Sequence, residues 1–130
     1  MIVDITNEVL TELKETLTDV FVTAEFPQKK PVFPCLTIRE ASNVTHIDSV
    51  DSGGERHNNI SFEINIFSNA KNKTTQVRNI RSRVDEIMSG KYNMTRDFSD
   101  EVPNFADSNI FRYVLRYSCV VDSTKRIYRR

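Results

Sequence analysis

Residues 56–74, RHNNISFEINIFSNAKNKT, decide how the chain is read. Ile60, Phe62, Ile64 and Ile66 alternate with Ser61, Glu63 and Asn65. A two-residue period sends alternate side chains to opposite faces, so this is a strand with one apolar face and one polar face. Phe67 starts its exit, a polar break follows, and then the period changes. Val77, Ile80, Val84, Ile87 and Met88 recur at helical steps and predict an amphipathic helix. Asn72 or Thr74 can cap its start, and Gly90 suits the position just past its end. Each of these two elements has one apolar side, and such sides close on one another around a single core.

On the N-terminal side, Ile2, Ile5, Val9, Leu10, Leu13, Leu17 and Val20 form the stripe of another helix, with Asp4 or Thr6 able to cap it. Phe21 to Glu25 is short and β-prone. Residues 26–34, FPQKKPVFP, hold Pro27, Pro31 and Pro34, which remove backbone donors and fix φ, so they read as an extended connector. CLTIREA follows as a strand, with Leu36 and Ile38 facing one way and Thr37 and Arg39 the other. Residues 42–58, SNVTHIDSVDSGGERHN, are polar and read as a long loop or as a hairpin with a mobile tip.

On the C-terminal side, Tyr92 to Phe98 alternates, with Tyr92, Met94 and Phe98 on one side. Residues 99–109, SDEVPNFADSN, read as an acidic loop. The longest strand is IFRYVLRYSCVVD. Phe111, Tyr113, Leu115, Tyr117, Cys119 and Val121 share one face, while Ile110, Arg112, Val114, Arg116, Ser118 and Val120 lie on a half-buried one. The expected fold is a single α+β domain over residues 1–130, a mainly antiparallel sheet with two helices packed on one face, ending in a basic tail at 123–130.

Lysine plus arginine and aspartate plus glutamate are both 18, so the formal net charge is zero. That argues against a nucleic-acid binder acting through bulk charge, and it leaves little repulsion between copies. The basic stretch TKRIYRR and the cluster Arg78, Arg81 and Arg83 are balanced by acidic loops. The arginine cluster reads as a solvated helix face. Asp4, Glu8, Glu12 and Glu15 interrupt any N-terminal leader pattern, and no apolar run is long enough to span a membrane. Cys35 and Cys119 fall inside strand patterns and read as buried, reduced thiols of a cytoplasmic product.

Candidates for chemistry are sparse. His46 and His57 flank a loop carrying Asp48, Asp51 and Glu55, but the spacing matches no standard metal-ligand pattern and Gly53-Gly54 lacks the context of a phosphate cradle. No catalytic, cofactor or metal site is expected. Arg126, Ile127, Tyr128 and Arg129 combine guanidinium groups with an apolar and an aromatic residue, a composition suited to docking. The same segment could instead fold back and cover its own sheet edge.

The succession PVFPCLTIRE, SGGE, ISFEINIFSN, FRYVLRYSCVV and IYRR resembles the tail terminator (tail-completion) proteins of long-tailed bacteriophages. More specifically, it resembles the small tail-completion proteins of prophages in Gram-positive bacteria. The resemblance implies an α/β subunit without a cofactor or active site. It implies a hexameric ring that caps the tail tube, ends its polymerisation and offers a surface to the head–tail connector protein. The implied partners are further copies of the chain, the tail tube protein and the connector, with no membrane and no specific nucleic acid. The implied location is the host cytoplasm during assembly and then the head-proximal end of the tail in the virion. On this expectation His46, Asp48, Asp51, Glu55 and His57 in the loop, and Arg126, Ile127, Tyr128 and Arg129 in the tail, meet a neighbouring subunit or the next ring. Competing expectations are a connector or adaptor ring of the phage neck, a small metal-dependent enzyme using the 46–57 loop, and a small ligand-binding module.

Overall fold

The computed structural model of the protein describes residues 2–24, 32–45, 57–103, 109–122 and 124–128. In chain order these form helix α1 (Thr6–Thr16) and strands β1 (Phe21–Thr23), β2 (Cys35–Thr45) and β3 (His57–Ser68). Helix α2 (Lys73–Asp85) runs directly into a π-helical turn (Glu86–Lys91), followed by β4 (Thr95–Glu101), β5 (Phe111–Asp122) and β6 (Ile127–Tyr128). The strands make one sheet in the order β1-β2-β3-β5-β4, with β6 beside β4 on the free edge of β5. β1 runs parallel to β2, and the remaining pairings are antiparallel. The class is α+β with a mixed sheet.

The alternation in β3 determines how the layers stack. Its register places Ile64 between Ile38 and Leu115, and Ile66 between Leu36 and Tyr113. These side chains share one face with Ile60, Phe62, Tyr117, Cys119 and Val121, all buried. Val9 and Leu13 of α1, and Val77, Ile80 and Val84 of α2, join them in one core. Burying each such side chain is worth roughly 1.5–3 kcal/mol, which is why the apolar periods of helices and strand lock together. Both helices therefore lie on the same face, and among the described residues neither covers the other.

Several expectations shift. β2 continues to Thr45 and β3 begins at His57, and the two pair antiparallel as far as Thr45↔Asn58, so of the two readings of 42–58 the hairpin holds, with residues 42–45 and 57–58 as strand rather than loop. Backbone pairing extends them where polar composition alone suggests irregular chain. Residues 46–56 lie outside the described residues. Asn72 takes the N-cap position of α2 without a side-chain bond, and Thr74 lies within the helix. At α1 the N-cap position falls to Ile5, while Asp4 Oδ1 accepts from the Thr6 amide at 2.8 Å. Gly90 does not end the second helix but sits inside the π-turn, which carries the chain on to Lys91.

Phe98 departs furthest from the alternation. Tyr92 and Met94 come before β4, and a bulge at Asp97 shifts the register so that Arg96 faces Tyr117 while Phe98 faces Arg116. The extra residue turns Phe98 away from the core, leaving it 39% exposed, whereas Met94 is buried. The acidic stretch is likewise partly strand, since residues 99–101 belong to β4.

Candidate functional site

The helix-free face of the sheet carries the functional groups that remain. β3 contributes His57, Asn59, Ser61, Glu63 and Asn65 to it, and β5 contributes Arg112, Val114, Arg116, Ser118 and Val120. β2 adds Thr37 and Arg39, and β4 adds Phe98 and Asp100.

At its centre Glu63 Oε2 accepts from Arg39 Nη2 at 3.2 Å and from Arg116 Nε at 3.3 Å, while Oε1 accepts from Asn65 Nδ2 at 3.2 Å. Arg112 Nε then donates to Asn65 Oδ1 at 2.9 Å. The Arg116 guanidinium lies 5.5 Å from the centre of the Phe98 ring. Glu63 is 7% exposed. Burial pushes its carboxyl upward, but the Asn65 hydrogen bond and the Arg39 and Arg116 charges together hold it below the usual glutamate value. The result is a fixed carboxylate holding arginines whose outer surfaces face solvent.

The C-terminal corner of this face brings the loop base and the tail together. Among the residues expected to make contacts, His46, Asp48, Asp51, Glu55 and Arg129 lie outside the described residues. His57, Arg126, Ile127 and Tyr128 converge. The chain turns back after β5, with Lys125 at φ 66°, and β6 pairs Tyr128 with Val120 and Ile127 with Val121. Ile127 packs against the core, and Tyr128 lies on the helix-free face. The edge-covering alternative thus describes Ile127 and Tyr128, because an apolar residue and a strand partner are available within the same chain.

Asp122 holds that turn. Its Oδ1 accepts from the Thr124 amide at 2.9 Å, the Thr124 hydroxyl at 2.6 Å and the Arg126 amide at 3.0 Å. Its Oδ2 accepts from the Tyr128 hydroxyl at 3.0 Å. The Thr124 hydroxyl is the largest influence holding the carboxyl down to about 2, reinforced by the backbone amides and Tyr128. The His57 ring meets the Tyr128 ring edge-on at 5.3 Å, and the Arg126 guanidinium lies 5.1 Å from the Tyr128 ring centre. His57 Nδ1, Asn59 Oδ1 and Ser118 Oγ on the same face are buried without a hydrogen-bond partner among the described residues. A His beside an Asp invites a catalytic reading, yet both oxygens of this Asp are taken up by the turn and by Tyr128, so it serves the hairpin.

On the other side of β4, Arg81, Ser82, Asp85, Glu86, Arg96 and Ser99 line an open polar cleft of about 500 Å³. Arg81 donates to the Tyr113 hydroxyl at 3.0 Å, and Tyr117 donates to Asp85 at 2.8 Å. Arg96 pairs with Asp85 at 3.2 Å. Burial and the Asp85 bond push the Tyr117 hydroxyl far up, so it stays protonated. Positive and negative groups balance in this cleft, and these bonds join the helix layer to β4 and β5.

The cysteines are free and buried, with burial raising Cys35 to about 11 and Cys119 to about 12. Such thiols remain protonated and poor nucleophiles at neutral pH. Among the described residues no three histidine, cysteine or acidic side chains are grouped to hold a metal, and no helix is long and apolar enough to cross a membrane. Sequence reasoning missed the Glu63 network. Its signal was present in the polar alternation of β3 and the basic positions on the second face of β5, but the register that joins them was not. No protein-family model matches the chain, and comparison with curated proteins gives no significant match.

Proposed function

We propose that the protein is a structural subunit of the tail terminator kind, working as a ring that caps a phage tail tube, stops its polymerisation and presents a surface for head joining. The sequence resemblance suggests the family. The observation that carries the reading is the division of labour in the sheet. One face is consumed by the core. The other holds arginines fixed by Glu63 and Phe98 and left open outward. Fixed arginines beside a part-exposed aromatic ring suit contact with another protein surface, because little freedom is lost when a partner arrives. The described acidic, histidine and tyrosine groups at the sheet corner serve the fold. In this reading the partners are further copies of the chain, the tail tube protein and the head–tail connector. The protein acts in the host cytoplasm and then in the virion at the head-proximal end of the tail.

The test is particle assembly with and without the gene. Loss should give abnormally long tails or tails unable to join heads, and labelled protein should appear by electron microscopy at the head-proximal tail end. Label within the connector would assign the chain to the neck adaptor instead. Normal particles lacking the protein would refute both.

A further inference from the structure

We infer that the cleft between α2 and β4 is a binding site for a small zwitterion of the amino-acid type, with Arg81 taking its carboxylate and Glu86 its ammonium group. The inference is independent of the ring reading. The cleft lies on the helix side of the sheet, where Arg96 and Ser99 stand opposite Tyr117 and Leu115 in the register.

Three observations carry it. The first is room: the cleft holds about 500 Å³, and every lining residue is polar or charged. The second is a guanidinium that is held in place but not neutralised. Arg81 Nη1 donates to the Tyr113 hydroxyl at 3.0 Å, and the guanidinium carbon lies 5.2 Å from the centre of the Tyr113 ring. Tyr113 is buried and shares a 2.7 Å hydrogen bond with Ser99, so this support is itself fixed. Among the described residues Arg81 has no acidic partner, and the rest of its donor fork is left for a ligand. The third is a carboxylate in the same state. Glu86 is exposed, lines the cleft, and has neither an ion pair nor a side-chain hydrogen bond among the described residues. The other two charges are engaged with each other: Arg96 lies 3.2 Å from Asp85 Oδ1, which also accepts from Tyr117 at 2.8 Å and Ser89 at 3.1 Å.

Once Arg96 and Asp85 are paired, one positive and one negative group remain in the same cleft. A simple anion satisfies Arg81 but meets Glu86, and a dianion such as phosphate meets it more strongly. A simple cation satisfies Glu86 but meets Arg81. A molecule carrying a carboxylate and an ammonium group compensates both. The planar fork of a guanidinium suits a carboxylate, and an arginine already braced by Tyr113 loses little freedom on binding. A single exposed ion pair contributes little, so useful binding requires both charges at once. The polar walls favour a polar ligand side chain over a hydrocarbon one.

The test is a nuclear magnetic resonance titration of the full chain with free L-glutamine, with its deamino analogue, which keeps only the carboxylate, and with its decarboxylated analogue, which keeps only the ammonium group. Glutamine should shift the Arg81 side-chain N–H and the Glu86 and Ser99 amides saturably. Each analogue should bind at least about tenfold more weakly, since one charge is left uncompensated. R81Q should weaken glutamine binding at least about tenfold. E86Q should weaken glutamine binding while leaving the deamino analogue no worse than in wild type. Circular dichroism checks the fold of both variants. If losing the Tyr113 contact unfolds R81Q, E86Q decides alone, because Glu86 is exposed and makes no side-chain bond among the described residues. No saturable shift with glutamine, an analogue that binds as tightly as glutamine, or a folded variant that binds glutamine like wild type each overturns the assignment.

Discussion

The Tyr128 hydroxyl donates to Asp122 Oδ2 at 3.0 Å, so the last described strand is fastened to the end of the longest one by a carboxylate that also closes the turn between them. β6 is short, and this bond together with Ile127 decides whether it stays in place. Asp122→Ala should lower the urea midpoint and speed amide exchange at Ile127 and Tyr128. Tyr128→Phe should do so less, because the turn amides keep their acceptor. Ile127→Ala should cost about 1–2 kcal/mol, below the range for a fully buried isoleucine. Removing residues 124–130 should therefore lower stability as well as any assembly.

Acid should reveal the same carboxylate. Asp122 sits at about 2 when folded, against an ordinary value of 3.8. A depressed carboxyl contributes stability that is complete above its unfolded value and is lost as pH falls through the folded one. Thermal unfolding should thus be insensitive to Asp122 above about pH 5 and show the loss between about pH 4 and pH 2. Glu63, also held below its usual value, adds in the same direction. Asp122→Asn should flatten the curve in this window. An unchanged slope would mean that the turn does not hold the charged form.

Phe62 and Phe98 provide a paired comparison. Phe62 is fully buried between the helix layer and the sheet, while Phe98 is 39% exposed on the other face. Phe62→Ala should cost about 3–5 kcal/mol by denaturant unfolding. Phe98→Ala should cost less than about 1.5 kcal/mol, the contact with Arg116 being partly open to water. Similar losses at the two positions would contradict the outward turn that the Asp97 bulge imposes.

The thiols report global opening. Cys35 and Cys119 are both buried and hard to ionise, so a thiol reagent at neutral pH should label neither in the folded chain and both in denaturant. Labelling kinetics should follow the unfolding rate. Fast labelling of Cys35 alone would show that β2 opens locally at its start.

Some of this is legible in particular residues before any tertiary contact is known. The alternation of Ile60, Phe62, Ile64 and Ile66 assigns β3, and the steps between Val77, Ile80 and Val84 assign α2, because burial on one side imposes a local period. Phe98 could not be read this way. Its alternation with Met94 holds in sequence, but a single extra residue at Asp97 reverses the face, and only pairing with β5 exposes that. The 42–45 extension of β2 was open between loop and hairpin, since its residues are strand only by virtue of their neighbours in β3.

The candidate contact surface divides in the same way. Arg126, Ile127 and Tyr128 stood out by composition, yet composition did not say whether they would face a partner or fold back onto β5. Glu63 meets Arg39 and Arg116 across sequence separations of 24 and 53 residues. The sequence alone determined what is periodic: which stretches are strand or helix, and which side of each is apolar. Tertiary structure alone decided the strand order, the bulge and the company that Glu63 keeps. Side-chain period is a property of consecutive residues, whereas register is settled by long-range pairing that closes the whole sheet at once.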